Sequence, residues 1–295
     1  MYREFYGLIR APFEMTPDPA FLYLGETHQE GLATLVYGVR AGKGFVLLTG
    51  EVGTGKTTLL HSLLAQLDPS TASAFIFNPN LEPMDFFLVL LDEFGIENRC
   101  RTKAEYLLVL NNFLIERLEK NETALLIIDE AQNLSPEMLE EVRLLSNLET
   151  PTSKLIQIML VGQPELGDIL AQPELRQLRQ RIVLRHDLKP FTDAELRDYV
   201  NERLRLAGYT GKGIFDRGAF KELFAVTGGV PRLVNVVCDG ALLTGFGRGQ
   251  STLGRAVIRE VAQDLKLCEA SGDESPDVES TNRRGGWLSR RRRAR

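Results

Sequence analysis

Residues 45–58 read FVLLTGEVGTGKTT, and no other stretch limits the possible folds as strongly. A short apolar run ending in glycine is the pattern of a buried parallel strand. Gly50 to Thr57 then matches G-x-x-x-x-G-K-[ST], and a helical stretch starts at Lys56. Strand, glycine-rich loop and helix form the context that a phosphate-binding loop needs. The glycines let backbone N–H groups wrap an anion, and the helix N-terminus adds partial positive charge. In this reading Lys56 reaches the β- and γ-phosphates and Thr57 ligates Mg²⁺. Gly50, Glu51, Val52, Gly53, Thr54, Gly55, Lys56, Thr57 and Thr58 are the expected nucleotide cradle.

The remaining chain supplies a frame for that loop. Further strands are expected at Ala74–Asn78, Ala124–Glu130, Leu155–Gly162 and Arg181–Leu188, alternating with helical patterns. The first 25 residues, rich in Pro and Gly, read as irregular chain, followed by a helix from His28 to Arg40. Pro83 opens one helix and Gly95 closes it. Thr102 and Thr192 each stand three residues before a Glu, the capping-box spacing, and Ser135 precedes a Pro-initiated helix. Alternation of strand and helix predicts a doubly wound α/β domain over residues 1–188. Residues 189–268 show helices and no strand, which predicts a small helical second domain. Residues 269–282 are acidic and polar, as in a disordered linker.

Charge is unevenly spread. The chain has 35 Lys and Arg against 40 Asp and Glu. Seven of those Arg lie in residues 283–295; without them the balance is 28 against 40. An acidic body of this kind does not suit a general DNA-coating protein. The Arg-rich end reads three ways: a solvated tail, an anionic-membrane contact or a nucleic-acid contact. No run of 18 apolar residues exists, so no transmembrane helix is expected. The N-terminus lacks the apolar core and cleavage site of a secretory leader. Three widely spaced Cys make neither a disulfide framework nor a metal site, which fits a reducing cytoplasm. His28, His61 and His186 lack metal spacing and are read as structural.

Four further groups of residues carry chemistry. Leu125–Ile128 is an apolar run followed by Asp129 and Glu130 at the strand's C-terminal end. That strand is expected beside the phosphate loop, at the crevice where ligands bind. Asp129 would then hold Mg²⁺ through water, and Glu130 would polarise the attacking water. Gln163 ends the next strand and is placed to orient that water, to sense the γ-phosphate, or to cap the turn before Pro164. Arg176, Arg179 and Arg181 precede the fifth strand, either as a solvated basic face or as an arginine finger given to a neighbouring subunit. The residues leave Arg179 and Arg181 as equal choices. Arg232 follows Gly228-Gly-Val-Pro231 at a helix start, where it would lean over the γ-phosphate.

Assembled, these residues resemble the AAA+ ATPases of the general secretion pathway protein A (ExeA-like) type, including those found beside exopolysaccharide and exosortase gene sets. The resemblance covers residues 2–268. It rests on Phe5-Tyr-Gly-Leu8, Pro12-Phe13, Thr16-Pro-Asp-Pro19, Phe21-Leu-Tyr-Leu24 and His28-Gln-Glu30. It continues with the phosphate loop, Asp129-Glu-Ala-Gln-Asn-Leu134, Leu160-Val-Gly-Gln-Pro-Glu-Leu166, Leu175-Arg-Gln-Leu-Arg-Gln-Arg-Ile182 and Gly229-Val-Pro-Arg232. It implies a P-loop NTPase (AAA+) α/β fold, a parallel sheet flanked by helices with a C-terminal helical lid. It also implies ATP and Mg²⁺, with Gly50–Thr58 as Walker A and Asp129 and Glu130 as the Walker B pair. Gln163 falls at sensor 1, Arg179 or Arg181 in the finger region and Arg232 at sensor 2. The N-terminal segment would lie on the adenine side. Ring-like self-association and a secretion or export partner are implied, in the cytoplasm or peripherally at the inner membrane. Full-length secretion members continue into a membrane span and a peptidoglycan-binding domain, so peptidoglycan binding is not expected of these residues. Related ATPases assist transposition by binding DNA, and that role is the alternative.

Overall fold

The computed structural model describes residues 1–14, 21, 23–77 and 81–267. Part of the Thr16–Leu24 motif, Asn78, Cys268, the acidic linker and the Arg-rich end lie outside the described residues.

The apolar runs form one parallel five-stranded sheet. Its strands are β1 (Phe45–Gly50), β2 (Ala72–Ile76), β3 (Ala124–Ile128), β4 (Ile156–Gly162) and β5 (Ile182–Leu188). Their spatial order is β2-β3-β4-β1-β5. All five residues of β3 and all seven of β4 are buried, as expected of strands covered on both faces. Alternation divides them cleanly. Phe45, Leu47, Leu126, Ile128, Ile158 and Leu160 face one core; Val46, Leu48, Leu125, Ile127, Met159 and Val161 face the other.

Helices close both faces. α2 (Glu26–Arg40) and α3 (Lys56–Leu64) cover one through Leu32, Leu35, Leu59 and Leu63. On the other face, α4 (Pro83–Glu93), α5 (Lys103–Glu119) and α6 (Pro136–Leu145) bring Phe86, Leu90, Leu110 and Leu139. Thr102 forms the complete capping box with Glu105, and Ser135 caps α6 by accepting from the Met138 N–H. β2 is an edge strand, and Glu93 of α4 blocks that edge by accepting from Phe75 N–H at 3.0 Å.

The chain then runs through α7 (Glu165–Ala171) and α8 (Arg176–Arg181) into β5. Among the described residues it continues as α9 (Asp193–Leu206), α10 (Arg217–Thr227), α11 (Pro231–Gly247) and α12 (Arg255–Asp264), with one isolated parallel bridge between Phe215 and Leu253. Thr192 forms the second capping box, with Glu195. These helices enclose their own apolar cluster, including Leu196, Val200, Leu223, Val237, Leu242 and Ile258. Tyr6, Leu8, Phe13 and Phe21 from the chain's beginning are buried in the same cluster.

One expectation is corrected. Tyr2–Tyr6 is not irregular but a short helix, α1, which ends at Gly7 with φ +69° and packs against α11. Its helicity comes from burying Tyr6 rather than from sequence periodicity, which five residues cannot display. β3 ends on the same side of the sheet as β1, though the two strands are not paired. β4 is inserted between β1 and β3, pairing with both in parallel register. Connections of helix length let sequence neighbours separate in the sheet, so chain order did not reveal this.

Candidate nucleotide site

The C-terminal ends of β1, β3 and β4 share one edge of the sheet, the edge at which α/β folds bind ligands. β1 delivers Gly50. A Cβ there would stand 2.8 Å from the Leu188 carbonyl oxygen, so glycine alone lets β5 pass. Gly53 and Gly55 hold φ of +82° and +101°, the left-handed region that glycine enters freely. Their conformations close the loop above α3. Lys56 is 7% exposed, and its Nζ donates to the carbonyls of Gly50 at 2.7 Å and Glu51 at 3.1 Å. Burial lowers the Lys56 pKa, opposed by the charges of Glu130, Asp129, Glu51 and Glu165. Val52 at the loop's tip is exposed.

Asp129 follows β3 and is also buried. Its N–H donates to Ile76 O at 3.0 Å, and its Oδ1 accepts from Glu130 N–H at 2.9 Å. Burial raises its pKa; the Glu130 N–H and a side-chain hydrogen bond with Thr57 pull the other way. Asp129 and Thr57 thus lie near each other on two elements and together offer hard oxygens of the kind Mg²⁺ takes. The fit to that cation is good.

Glu130 has φ +53°, uncommon for a residue with a side chain. Its Oε2 accepts from Gln132 Nε2 at 2.5 Å and from Gln163 Nε2 at 3.3 Å. Gln132 Oε1 in turn accepts from the Gln163 N–H at 3.1 Å. The inserted β4 is what brings Gln163 here, between the loop and the acidic pair. Gln163 also starts the turn into α7, through Leu166 N–H to Gln163 O at 3.0 Å. The turn reading of Gln163 is thus met, and its side chain lies against Glu130.

Arg232 reaches the loop from the helical region. Its backbone N–H donates to Gly53 O at 3.2 Å, and a Cβ on Gly53 would meet Arg232 Cβ at 2.7 Å. Arg179 and Arg181 do not come to this place. β5 runs parallel to β1, with Ile182 beside Phe45 and Leu188 beside Gly50. α8 therefore stands at the opposite edge of the sheet, about 20 Å away at ~3.3 Å per strand residue. Arg181 is tied to the end of α6, donating to Ser146 Oγ and to Asn147 Oδ1 at 2.7 Å. Arg179 is exposed; its guanidinium donates to Ala171 O at 3.3 Å and its carbonyl accepts from Arg185 at 3.3 Å.

The fold is that of known nucleotide-site proteins. The family model described as an AAA domain matches residues 39–170. General secretion pathway protein A of Aeromonas hydrophila is 45% identical over 266 residues, which is 90% of this chain and 48% of that protein. The chain has the AAA+ P-loop fold and is similar to general secretion pathway protein A over most of its own length. It spans about half the length of that relative. Among solved structures, the ORC2 protein of Aeropyrum pernix, in ADPNP-ADP complexes, superposes with a TM-score of 0.63 at 18% identity. The match covers 86% of this chain and 71% of that one. CDC6P of Pyrobaculum aerophilum gives 0.64 at 17% identity, over 85% and 71%. These two are fold likenesses: an AAA+ sheet followed by helices.

Sequence reasoning missed three residues. Gln132, two positions after Glu130 in the Asp129–Leu134 motif, bridges the acid to Gln163. Glu195 caps its own helix and also accepts from Glu26 N–H at 2.7 Å, joining α9 to α2. His28 touches the phosphate loop itself, donating from Nε2 to Thr54 O at 2.8 Å. Only the Asp-Glu-Ala-Gln spacing gave any local signal, because the other two contacts are long-range.

Proposed function

We propose that this chain binds and hydrolyses ATP, and that hydrolysis drives assembly or remodelling of a secretion or export machine. The observation that carries the reading is the convergence of Lys56, Asp129, Glu130 and Gln163 at one strand edge around a glycine-shaped loop. Phosphate oxygens would replace the Gly50 and Glu51 carbonyls as partners of Lys56. Thr57 and Asp129 would hold Mg²⁺, which when bound neutralises charge on the β- and γ-phosphate oxygens. Glu130 would take a proton from the attacking water as its oxygen bonds to the γ-phosphorus and ADP leaves. Gln132 and Gln163 would hold that carboxylate in place, and Gln163 would also meet the γ-phosphate. Arg232 would report the γ-phosphate to the helical region.

We assign residues 26–188 to the nucleotide-binding unit and 189–267 to the lid; unlike the 1–188 unit expected from sequence, the chain's beginning packs with the lid through Tyr6, Leu8, Phe13 and Phe21. Arg179 and Arg181 would serve a neighbouring subunit, since their own loop is out of reach; a ring-like homo-oligomer supplies that neighbour. Relation to general secretion pathway protein A supports the secretion setting and a cytoplasmic location. Among the described residues no helix is long and apolar enough to cross a membrane.

The test is ATP turnover against protein concentration, with and without duplex DNA, using Glu130→Gln as the blank. Turnover per subunit that climbs with concentration and ignores DNA supports the proposal. Turnover that stays low until DNA is added overturns it in favour of a DNA-dependent switch.

A further inference from the structure

His28 is 3% exposed, at the start of α2, and Thr54 in the phosphate loop is fully buried. Thr54 O is a carbonyl and only accepts, so the 2.8 Å contact fixes the proton on His28 Nε2. His28 Nδ1 is then a bare acceptor, and it is buried with no hydrogen-bond partner. Such a nitrogen is unfavourable in a core. Burial also lowers the His28 pKa, which keeps the ring neutral and preserves this tautomer.

The ring is held from its other sides. Phe191 packs against it at 5.1 Å between centroids. Gly55 approaches so closely that a Cβ there would lie 3.2 Å from Nε2. A phenylalanine at position 28 would make the same apolar contacts without an orphan nitrogen. What it lacks is the donor to Thr54.

That donor has a consequence for the loop. In a trans peptide the C=O and the following N–H point in opposite directions. A Thr54 carbonyl pulled outward to His28 turns the Gly55 N–H the other way, toward the loop's concave side. N–H groups gathered on such a concavity are what bind phosphate. The next carbonyl back, Gly53 O, is likewise held, by the Arg232 N–H at 3.2 Å.

We infer that His28 is a positioning residue of the phosphate loop, whose Nε2–H presets the Thr54–Gly55 peptide so that its amide faces the nucleotide phosphates. The inference rests on the ATP-binding reading above. It treats the buried Nδ1 as a cost accepted for that preset donor.

The experiment compares wild type, His28→Phe and His28→Gln, with Lys56→Ala as the non-binding control. ATP affinity, steady-state KM and kcat, and the unfolding midpoint without nucleotide are measured for each. His28→Phe is expected to weaken ATP binding by about tenfold or more, the loss of roughly one hydrogen bond's worth of preorganisation. KM rises with it, while kcat at saturating ATP and the nucleotide-free midpoint stay near wild type. His28→Gln keeps an N–H donor and recovers most of the affinity. Equal affinity in wild type and His28→Phe would overturn the inference alone. So would an equal loss in both variants, because then the donor is not what matters. A wild type that binds ATP no better than Lys56→Ala would instead overturn the ATP reading beneath it. If His28→Phe does not fold, ring nitrogen shifts of His28 in the intact protein decide: a proton on Nδ1 contradicts the proposal.

Discussion

Glu130 is held by two amides in a conformation that costs energy. A left-handed backbone on a residue with a side chain costs on the order of 1–3 kcal/mol, and such outliers gather where function requires them. Here the turn points the carboxylate away from the sheet and onto Gln132 and Gln163. Replacing Glu130 by Gln keeps the size and removes the proton acceptor. The expected result is ATP binding near wild type with turnover reduced about 10²- to 10⁴-fold, the range of a positioned general base. Parallel equilibrium binding and phosphate-release assays check it, and undiminished release would remove Glu130 from the chemistry. Asp129 gives a second residue-level prediction. Its pKa is raised, chiefly by burial. A cation at Asp129 and Thr57 needs the ionised form. Mg²⁺-dependent nucleotide affinity should therefore be full above the raised pKa and fall as pH drops through it. The fall begins at a higher pH than for a surface aspartate, near 4. Titrating Mg²⁺ against a fluorescent nucleotide across pH reads this directly, and Asp129→Asn should remove the step.

At the level of elements, the turn between α10 and α11, which meets the chain leaving β5 at Phe191, is set by two adjacent glycines. Gly228 and Gly229 have φ of +57° and +77°. Nothing lies within 4 Å of a Cβ built on Gly228, whereas one on Gly229 would overlap the Phe191 carbonyl. Phe191 N–H also donates to Gly229 O at 3.0 Å. Both alanine variants carry the left-handed strain of about 1 kcal/mol, but only Gly229→Ala must also push Phe191 aside. Gly228→Ala should lower stability by about that amount and leave ATP affinity intact. Gly229→Ala should lose at least twice as much stability and weaken ATP binding, because α11 begins two residues later and touches Gly53. Urea unfolding and nucleotide titration on the pair separate the cases; equal behaviour would sink the account. These junctions mark the boundary of what was legible. Strands were readable because parallel strands bury both faces and so appear as unbroken apolar runs. Helix starts were readable where a local device, Thr102, Ser135 or Thr192, satisfied the first amides. The insertion of β4, the helix at Tyr2–Tyr6 and the His28–Thr54 bond were not readable, because each depends on residues far apart in sequence. The loop and the acidic pair were legible for the converse reason: their chemistry demands particular residue types at short fixed spacing.

For the whole molecule the decisive geometry is the distance between the two edges of the sheet. The phosphate loop occupies the edge at Gly50 and α8 the edge at Phe45. An arginine side chain cannot cross a strand of seven residues, so any action of Arg179 or Arg181 on phosphate is action on another copy. Arg181 is already anchored to Ser146 and Asn147, which orients α8 against the end of α6. Arg179 stands exposed beside it. Removing both charges, Arg179→Ala with Arg181→Ala, should leave ATP binding intact and cut turnover by about 10³-fold or more, the usual weight of an arginine finger. Lys56→Ala should be inactive through failure to bind. Mixing the two inactive proteins then discriminates between action within a chain and action between chains. The double-Arg copy keeps its loop and needs a neighbour's arginines; the Lys56→Ala copy supplies them. In a closed ring mixed at equal amounts, about one interface in four pairs an intact loop with intact arginines, so turnover should return to roughly a quarter of wild type. The variants' unfolding midpoints must first match wild type, since Arg181 also braces α6. With that matched, mixtures that stay inactive at every ratio would mean that α8 does not complete a neighbour's site.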